Sequence, residues 1–287
     1  MKSKRARFEQ DKQKALAHYS RGELQEALRI STRLCTLAED AAMFCLAGVI
    51  YGQIGRFPEA AKYCRKALAL SPDYVFAESH LGYALRRLND LDGARAAFQR
   101  VLKKNPADFQ VHYQLGLTLE SAGEFDGATA CYQAAQRINP GYLDACAGVA
   151  SVYDKQGDFE SAYQAIREHT EPALTNAQIA VLYGRLARKL KLEDRPVEKL
   201  ERFLENKALQ GEDRLQVQFV LGELLDSLGE YDKAFRHFAG ANKLKGVHFD
   251  SQRFAAKVDE LIARFSRSAL AEAARATHGS QRQIFIV

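Results

Sequence analysis

The sequence predicts an all-α fold, a right-handed superhelical solenoid of about six to seven helix pairs, and three observations predict it. Pro72, Pro106 and Pro140 stand at equal intervals of 34 residues. Between them one pattern recurs: a small residue or Leu followed by Gly, a turn, an Ala, then a bulky residue. It reads Ala47-Gly48, Gly55, Ala60, Cys64, Ala67 and Pro72, then Leu81-Gly82, Asn89, Ala94, Phe98, Val101 and Pro106. The third copy is Leu115-Gly116, Gly123, Ala128, Tyr132, Ala135 and Pro140. Finally, Gly or Asn marks each turn, as a residue able to take positive φ at a helix end should. A fixed period of this length marks a stack of helix pairs, none of which can bury its apolar face alone.

The spacing has a physical reason. Gly48, Gly82 and Gly116 carry no Cβ, and Ala60, Ala94 and Ala128 carry little more, so facing helices can approach closely. Phe98 and Tyr132 supply the volume that fills the space towards the next unit. Pro72, Pro106 and Pro140 stop the second helix of each unit, because proline cannot continue it. With their 34-residue period, these residues resemble the tetratricopeptide repeat (TPR) family, and the resemblance covers about residues 8–248.

Taken in order, residues 1–7 are a basic tail, and 8–40 read as a degenerate first repeat. Arg21-Gly22-Glu23 is its turn, Ala27 its close-packing residue and Leu34 a late core position. Three clear repeats follow at 41–74, 75–108 and 109–142. A further copy at 143–176 keeps Val149-Ala150, Tyr153, Gly157, Ala162 and Ile166 in register, then ends early at His169-Thr170-Glu171-Pro172. Residues 177–214 form an irregular pair: a helix over Ala177 to Lys191, a longer turn, then a helix that Pro196 can open. Regular spacing returns at 215–248 with Leu221-Gly222, Gly229, Ala234, Phe238 and Ala241. C-terminal helices are expected over 249–276, with Asp250-Ser251 as cap and Phe254, Val258, Leu261, Ile262 and Phe265 on one face. Thr277 to Ser280 break them, and Ile284-Phe285-Ile286-Val287 has the composition of a buried strand.

The end of the sequence carries a second resemblance. Tyr231 to Phe238, then Asn242-Lys243-Leu244-Lys245, then a strand such as Ile284 to Val287, resemble the TPR–sulfotransferase fusion family over about 230–287. In that family the strand opens the sulfotransferase domain and runs into a Gly-Pro-Arg-Ser-Gly-Thr-like loop that cradles the 5′-phosphosulfate of the sulfuryl donor. The resemblance implies that 277–287 begin a truncated domain of that kind. No such loop lies within these residues, so no catalytic residue carries over.

Composition narrows the function classes. The chain is 47% apolar and 27% charged, the mix of an ordinary soluble protein. Of its net charge of +5, Lys2, Lys4, Arg5 and Arg7 supply four, so the body is near neutral and lacks the footprint of a nucleic-acid binder. No run approaches the ~18 apolar residues of a membrane span, and no apolar stretch follows the basic start as in a secretory signal. Five cysteines show no pairing motif, which points to a reducing compartment, the cytoplasm. Cys64 reads as a small core residue in the slot of Phe98 and Tyr132. No phosphate-binding, zinc-protease or nucleophile-elbow motif is present. His80 and His112, on successive first helices, read as ordinary helix histidines with no carboxylate or Cys at ligand spacing. Glu223 and Asp226 read as a solvated acidic pair. No catalytic residue, metal or cofactor is expected within this sequence.

What such an array offers is a groove lined by first helices. Positions flanking the core stripe give Phe76, Ser79, Tyr83, Arg86 and Arg87 in one repeat, and Gln110, Tyr113, Leu117 and Glu120 in the next. The following repeat gives Asp144, Ser151, Asp154 and Lys155. Aromatic residues with arginine are the mixture that interfaces favour. The Lys-Asn-Asn-Lys-Arg set with which some TPR domains hold a carboxyl terminus is absent: Leu16 stands four residues after Lys12, and neither 41–52 nor 76–88 contains Asn. The expected function is a protein-interaction scaffold, the substrate- or partner-binding arm of a sulfotransferase whose catalytic domain lies beyond Val287. Its partner would be a protein or peptide, with homodimerisation open. The alternative is a free-standing TPR adaptor that binds a peptide in its concave groove.

Overall fold

A computed structural model describes residues 2–170 and 173–245; the helices expected over 249–276 and the strand at 284–287 lie outside the described residues. Fourteen α-helices follow one another, and no strand occurs among the described residues. They are α1 (Lys2–Ser20), α2 (Leu24–Leu37), α3 (Ala41–Gln53), α4 (Phe57–Leu70), α5 (Val75–Arg87), α6 (Leu91–Lys104), α7 (Phe109–Ser121) and α8 (Phe125–Ile138). They continue with α9 (Leu143–Gln156), α10 (Phe159–Ile166), α11 (Ala177–Leu190), α12 (Pro196–Leu204), α13 (Gly211–Ser227) and α14 (Tyr231–Leu244). A 3₁₀ turn, Arg167–His169, ends α10. None of these helices is long and apolar enough to cross a membrane.

Local chemistry sets the helix ends. Gly55, Asn89 and Gly123 hold φ of +80°, +62° and +78° at the turns between paired helices. Asp40, Asp90, Asp108 and Asp158 accept from backbone N–H groups at the starts of α3, α6, α7 and α10. Every second helix has an acidic residue in its first turn (Glu26, Glu59, Asp92, Asp126, Glu160, Glu198, Asp232), where the helix dipole favours negative charge. Helix α1 already includes Lys2 to Arg7, the residues that the sequence sets apart as a basic tail. Lys, Arg and Ala are strong helix formers, so the helix extends through them, with Arg5, Ala6 and Arg7 exposed.

Packing follows the alternation of small and large residues. A Cβ on Gly82 would lie 2.7 Å from the ring of Phe98, and one on Gly116 would lie 2.6 Å from that of Tyr132. Phe98 and Tyr132 are fully buried. In the second pair Cys64 takes this place against Gly48, also fully buried. First helices also touch first helices: α3 meets α5, α5 meets α7, and so on through α9 and α11 to α13. Among the described residues no second helix makes substantial contact with another second helix. The first helices therefore form the inner, closely spaced layer of a bent array, and the second helices fan out around it.

The irregular pair departs from this plan. Helix α12 has only nine residues, and α11 packs extensively on α13. A Cβ on Gly184 of α11 would lie 2.1 Å from Cγ1 of Val220 on α13. The turn before α12 holds Lys191 and Arg195 at positive φ, which L side chains adopt at a cost. Asp194 compensates, accepting from Tyr183 at 2.9 Å, Tyr163 at 3.2 Å and Lys199 at 2.9 Å. Burial alone would raise its pKa, but the hydrogen bonds from Lys199 and the tyrosines outweigh burial and the net shift is downwards. A carboxylate with a depressed folded pKa contributes stability above its unfolded pKa of about 3.9, and that stability is lost as pH falls through the folded value. Asp194→Asn is therefore expected to lower the melting temperature at neutral pH, with the gap to the parent closing below about pH 4. An equal gap at pH 7 and pH 3 in paired thermal melts would sink this account of the turn.

Candidate functional site

The inner layer opens into a groove over α3, α5 and α7, with a cavity of about 590 Å³. Gly48 and Gly52 of α3, which bring no side chains into the space, line it together with the fully buried Phe98. Phe76, Ser79, His80 and Tyr83 of α5 form one wall, and Gln110 and Gln114 of α7 the other. Phe76 is 53% exposed, an unusual state for a ring on an inner helix, and it meets His80 edge-on with centroids 4.4 Å apart. Burial pushes His80 down to about 4, so its imidazole is neutral at physiological pH. Asp108, the one carboxylate in the lining, accepts from the N–H of Val111 at 3.1 Å. Among the described residues the groove is thus lined by aromatic rings and amides, with the helix-capping Asp108 its one carboxylate.

A second, smaller cavity of about 160 Å³ lies further along the inner layer. Tyr113, Leu117, Glu120 and Ser151 line it, together with Arg185. The residues expected to share one surface therefore divide. Phe76, Ser79, Tyr83 and Gln110 meet in the larger cavity, whereas Tyr113, Leu117 and Glu120 line the smaller one. Tyr113 is largely buried, 7% exposed, between Tyr132, whose ring is tilted to it, and Tyr142, which it meets edge-on. Arg87 packs on Phe57 and Tyr83 and donates to the Tyr83 hydroxyl at 3.1 Å. Arg86 lies over the Tyr83 ring, its Cζ 5.7 Å from the centroid; burial pushes its pKa down. Asp144 accepts from Asn176 at 2.8 Å.

Glu120, Asp154 and Lys155 are engaged within the chain. Glu120 is 8% exposed and accepts from Tyr132 and Ser151 while pairing with Lys155 at 2.8 Å. Asp154 pairs with Lys189 at 2.6 Å and Arg185 at 3.6 Å, and Arg188 pairs with Glu223 at 3.0 Å. The same 35-residue step joins 120 to 155, 154 to 189 and 188 to 223, so an ion pair climbs from α7 to α9, from α9 to α11 and from α11 to α13. Glu223 is accordingly a partner of Arg188 as well as a solvated acid. Sequence reasoning missed this staircase because its spacing exceeds the repeat by one residue; charges tabulated at that offset would have revealed it. The histidines also separate: His112 bonds through Nε2 to the carbonyl of Pro106 at 2.9 Å, away from the His80–Phe76 contact.

Comparison with known proteins agrees with the fold. Two tetratricopeptide-repeat models match, one over residues 41–74 and one over 80–142. No curated protein matches the sequence. Among solved structures, the chain resembles MamA at TM-score 0.51 and 23% identity, over 55% of this chain and 92% of that one. It resembles MamA from Desulfovibrio magneticus RS-1 at TM-score 0.54 and 19% identity, over 57% and 93%. A double mutant of the RS-1 protein gives TM-score 0.53 and 18% identity, over 64% and 96%. At these identities the likeness concerns the fold alone. The chain carries tetratricopeptide repeats, stacked in an all-α solenoid.

Proposed function

We propose that the chain is an interaction adaptor that holds an extended peptide segment of a protein partner in the groove over α3, α5 and α7. The observation that carries this reading is the 590 Å³ cavity with Phe76 standing half-exposed at its wall. An aromatic ring left in water on an inner helix loses the burial that rings elsewhere in the array obtain, and a docked apolar side chain would restore it. The walls add amides that can bond an extended backbone. Buried thiols offer no rival chemistry: burial pushes Cys64 up to about 12 and Cys45 up to about 11, which keeps both protonated and inert. The cytoplasm is the proposed compartment.

A sulfotransferase attachment is not part of this reading. The family matches fall on 41–74 and 80–142, away from the residues 230–287 that carry the sulfotransferase resemblance. The adaptor reading rests on described side chains alone. Its test is selection of displayed random peptides on the immobilised chain, followed by affinities for a Phe76→Ala/Tyr83→Ala variant. Loss of two aromatic anchors is expected to weaken the selected peptides by at least about tenfold, with helicity unchanged. Peptides that bind the variant as tightly as the parent would move the binding surface elsewhere.

A further inference from the structure

The ion-pair staircase has a missing step. Counted back by one repeat from Glu120, Asp154 and Arg188, the same position on α5 is Arg86. By the 35-residue rule its counter-charge should stand at residue 121, which is Ser121. The Ser121 hydroxyl donates instead to the carbonyl of Leu117 at 2.8 Å. Among the described residues no carboxylate lies within ion-pair distance of Arg86, and its buried Nε has no acceptor. Arg95 and Arg185 also leave Nε unbonded, but each guanidinium has a carboxylate on another nitrogen, Glu124 and Asp154 respectively. Arg86 has only the face of Tyr83, and that contact uses the π face of the cation while its N–H edge stays unspent. Its chain neighbour Arg87 adds a second positive charge.

We infer that Arg86 is a receptor for a carboxylate brought by the partner, so that the groove recognises an acidic side chain beside a bulky apolar one. The argument is charge complementarity. The three later steps of the staircase are neutralised internally, and the step nearest the large cavity is left for a ligand. Tyr83 links the two features, because its ring supports Arg86 and also lines the cavity. A peptide whose Asp or Glu reaches Arg86 would therefore bring its neighbouring side chain to Tyr83, three residues away on α5, with the rest of the wall at His80 and Phe76 open to the residues that follow. The Arg188–Glu223 pair shows the geometry from within: a side-chain carboxylate of the neighbouring segment reaches a guanidinium in this register. A guanidinium–carboxylate pair at a half-buried position is also among the stronger polar contacts available to a peptide.

This inference rests on the groove being the binding surface, and its test separates the two. Displayed random peptides, presented internally with no free carboxyl terminus, are selected on the parent chain and on Arg86→Gln. On the parent, selected sequences are expected to share an Asp or Glu next to an aromatic or aliphatic residue. Amidated synthetic copies should bind Arg86→Gln about tenfold or more weakly, and copies with Gln for the acid should bind parent and variant alike. Thermal melts of Arg86→Gln should match the parent, since no internal ion pair is lost. Selected peptides that lack an acid but lose affinity in Phe76→Ala/Tyr83→Ala would overturn the Arg86 assignment and leave the groove standing. Acid-free peptides that bind only with a free terminal carboxylate would likewise overturn it in favour of chain-end recognition. Peptides indifferent to Phe76 and Tyr83, or no enrichment at all, would overturn both.

Discussion

Tyr132→Ala is expected to destabilise the array by about 3–5 kcal/mol, the cost of emptying a fully buried aromatic site. The ring sits between two first helices: a Cβ on Gly116 of α7 would approach it to 2.6 Å, and one on Gly148 of α9 to 2.8 Å. Removing it opens a cavity across the boundary between successive pairs, where neither backbone can close in without losing its other contacts. The hydroxyl adds a second effect, because it donates to Glu120, a nearly buried carboxylate also held by Ser151 and Lys155. Tyr132→Phe keeps the ring and removes only that donor, so it should cost about 1–3 kcal/mol. Urea denaturation of the two variants separates packing from polar loss. An Ala variant within about 0.5 kcal/mol of the parent, the range of surface substitutions, would refute the role given to this ring.

Gly184→Ala sets two effects against each other, and their sizes decide the sign. In a helix interior, Ala for Gly ordinarily gains about 0.5–1 kcal/mol. Here the new Cβ would lie 2.1 Å from Val220 Cγ1 and 3.1 Å from Leu200 Cδ1, inside a buried seam between α11, α12 and α13. Overpacking of this kind costs about 1–3 kcal/mol, so a net loss is expected. Combining it with Val220→Ala should relieve the clash, making the double variant more stable than the sum of the single effects predicts. A melting temperature that rises in Gly184→Ala would show that α11 and α13 are further apart than the structure places them.

The repeat register was legible because it rests on steric necessity. Gly82 against Phe98 and Gly116 against Tyr132 recur at a period that only stacked helix pairs explain, and Asn89 could be read as a turn because few other residues tolerate its φ of +62°. The irregular turn was less legible. Lys191 and Arg195 take positive φ with no glycine to announce it, and Asp194 holds them through Tyr163 and Tyr183, residues that no local pattern links. Of the candidate groove residues, Phe76, Ser79, Tyr83 and Gln110 do line one cavity. Tyr113 lines the smaller cavity yet is largely buried, because helical spacing cannot tell a ring that opens on the groove from one that also leans on the next repeat. Glu120 and Asp154 looked free because their partners come from the following repeat, beyond the reach of any single-helix argument.

The rule that each helix touches only its neighbour or next neighbour in sequence has a kinetic consequence. Among the described residues substantial contacts never join elements more than two helices apart, so no long loop must close there before native interactions form. Folding of such a chain can start within any one helix pair and spread outward as a zipper, each new pair using the last as its template. Amide hydrogen exchange would then be graded rather than uniform. The slowest amides should lie in α7 to α9, where Tyr132 locks consecutive pairs, and protection should decline with distance from them along the array.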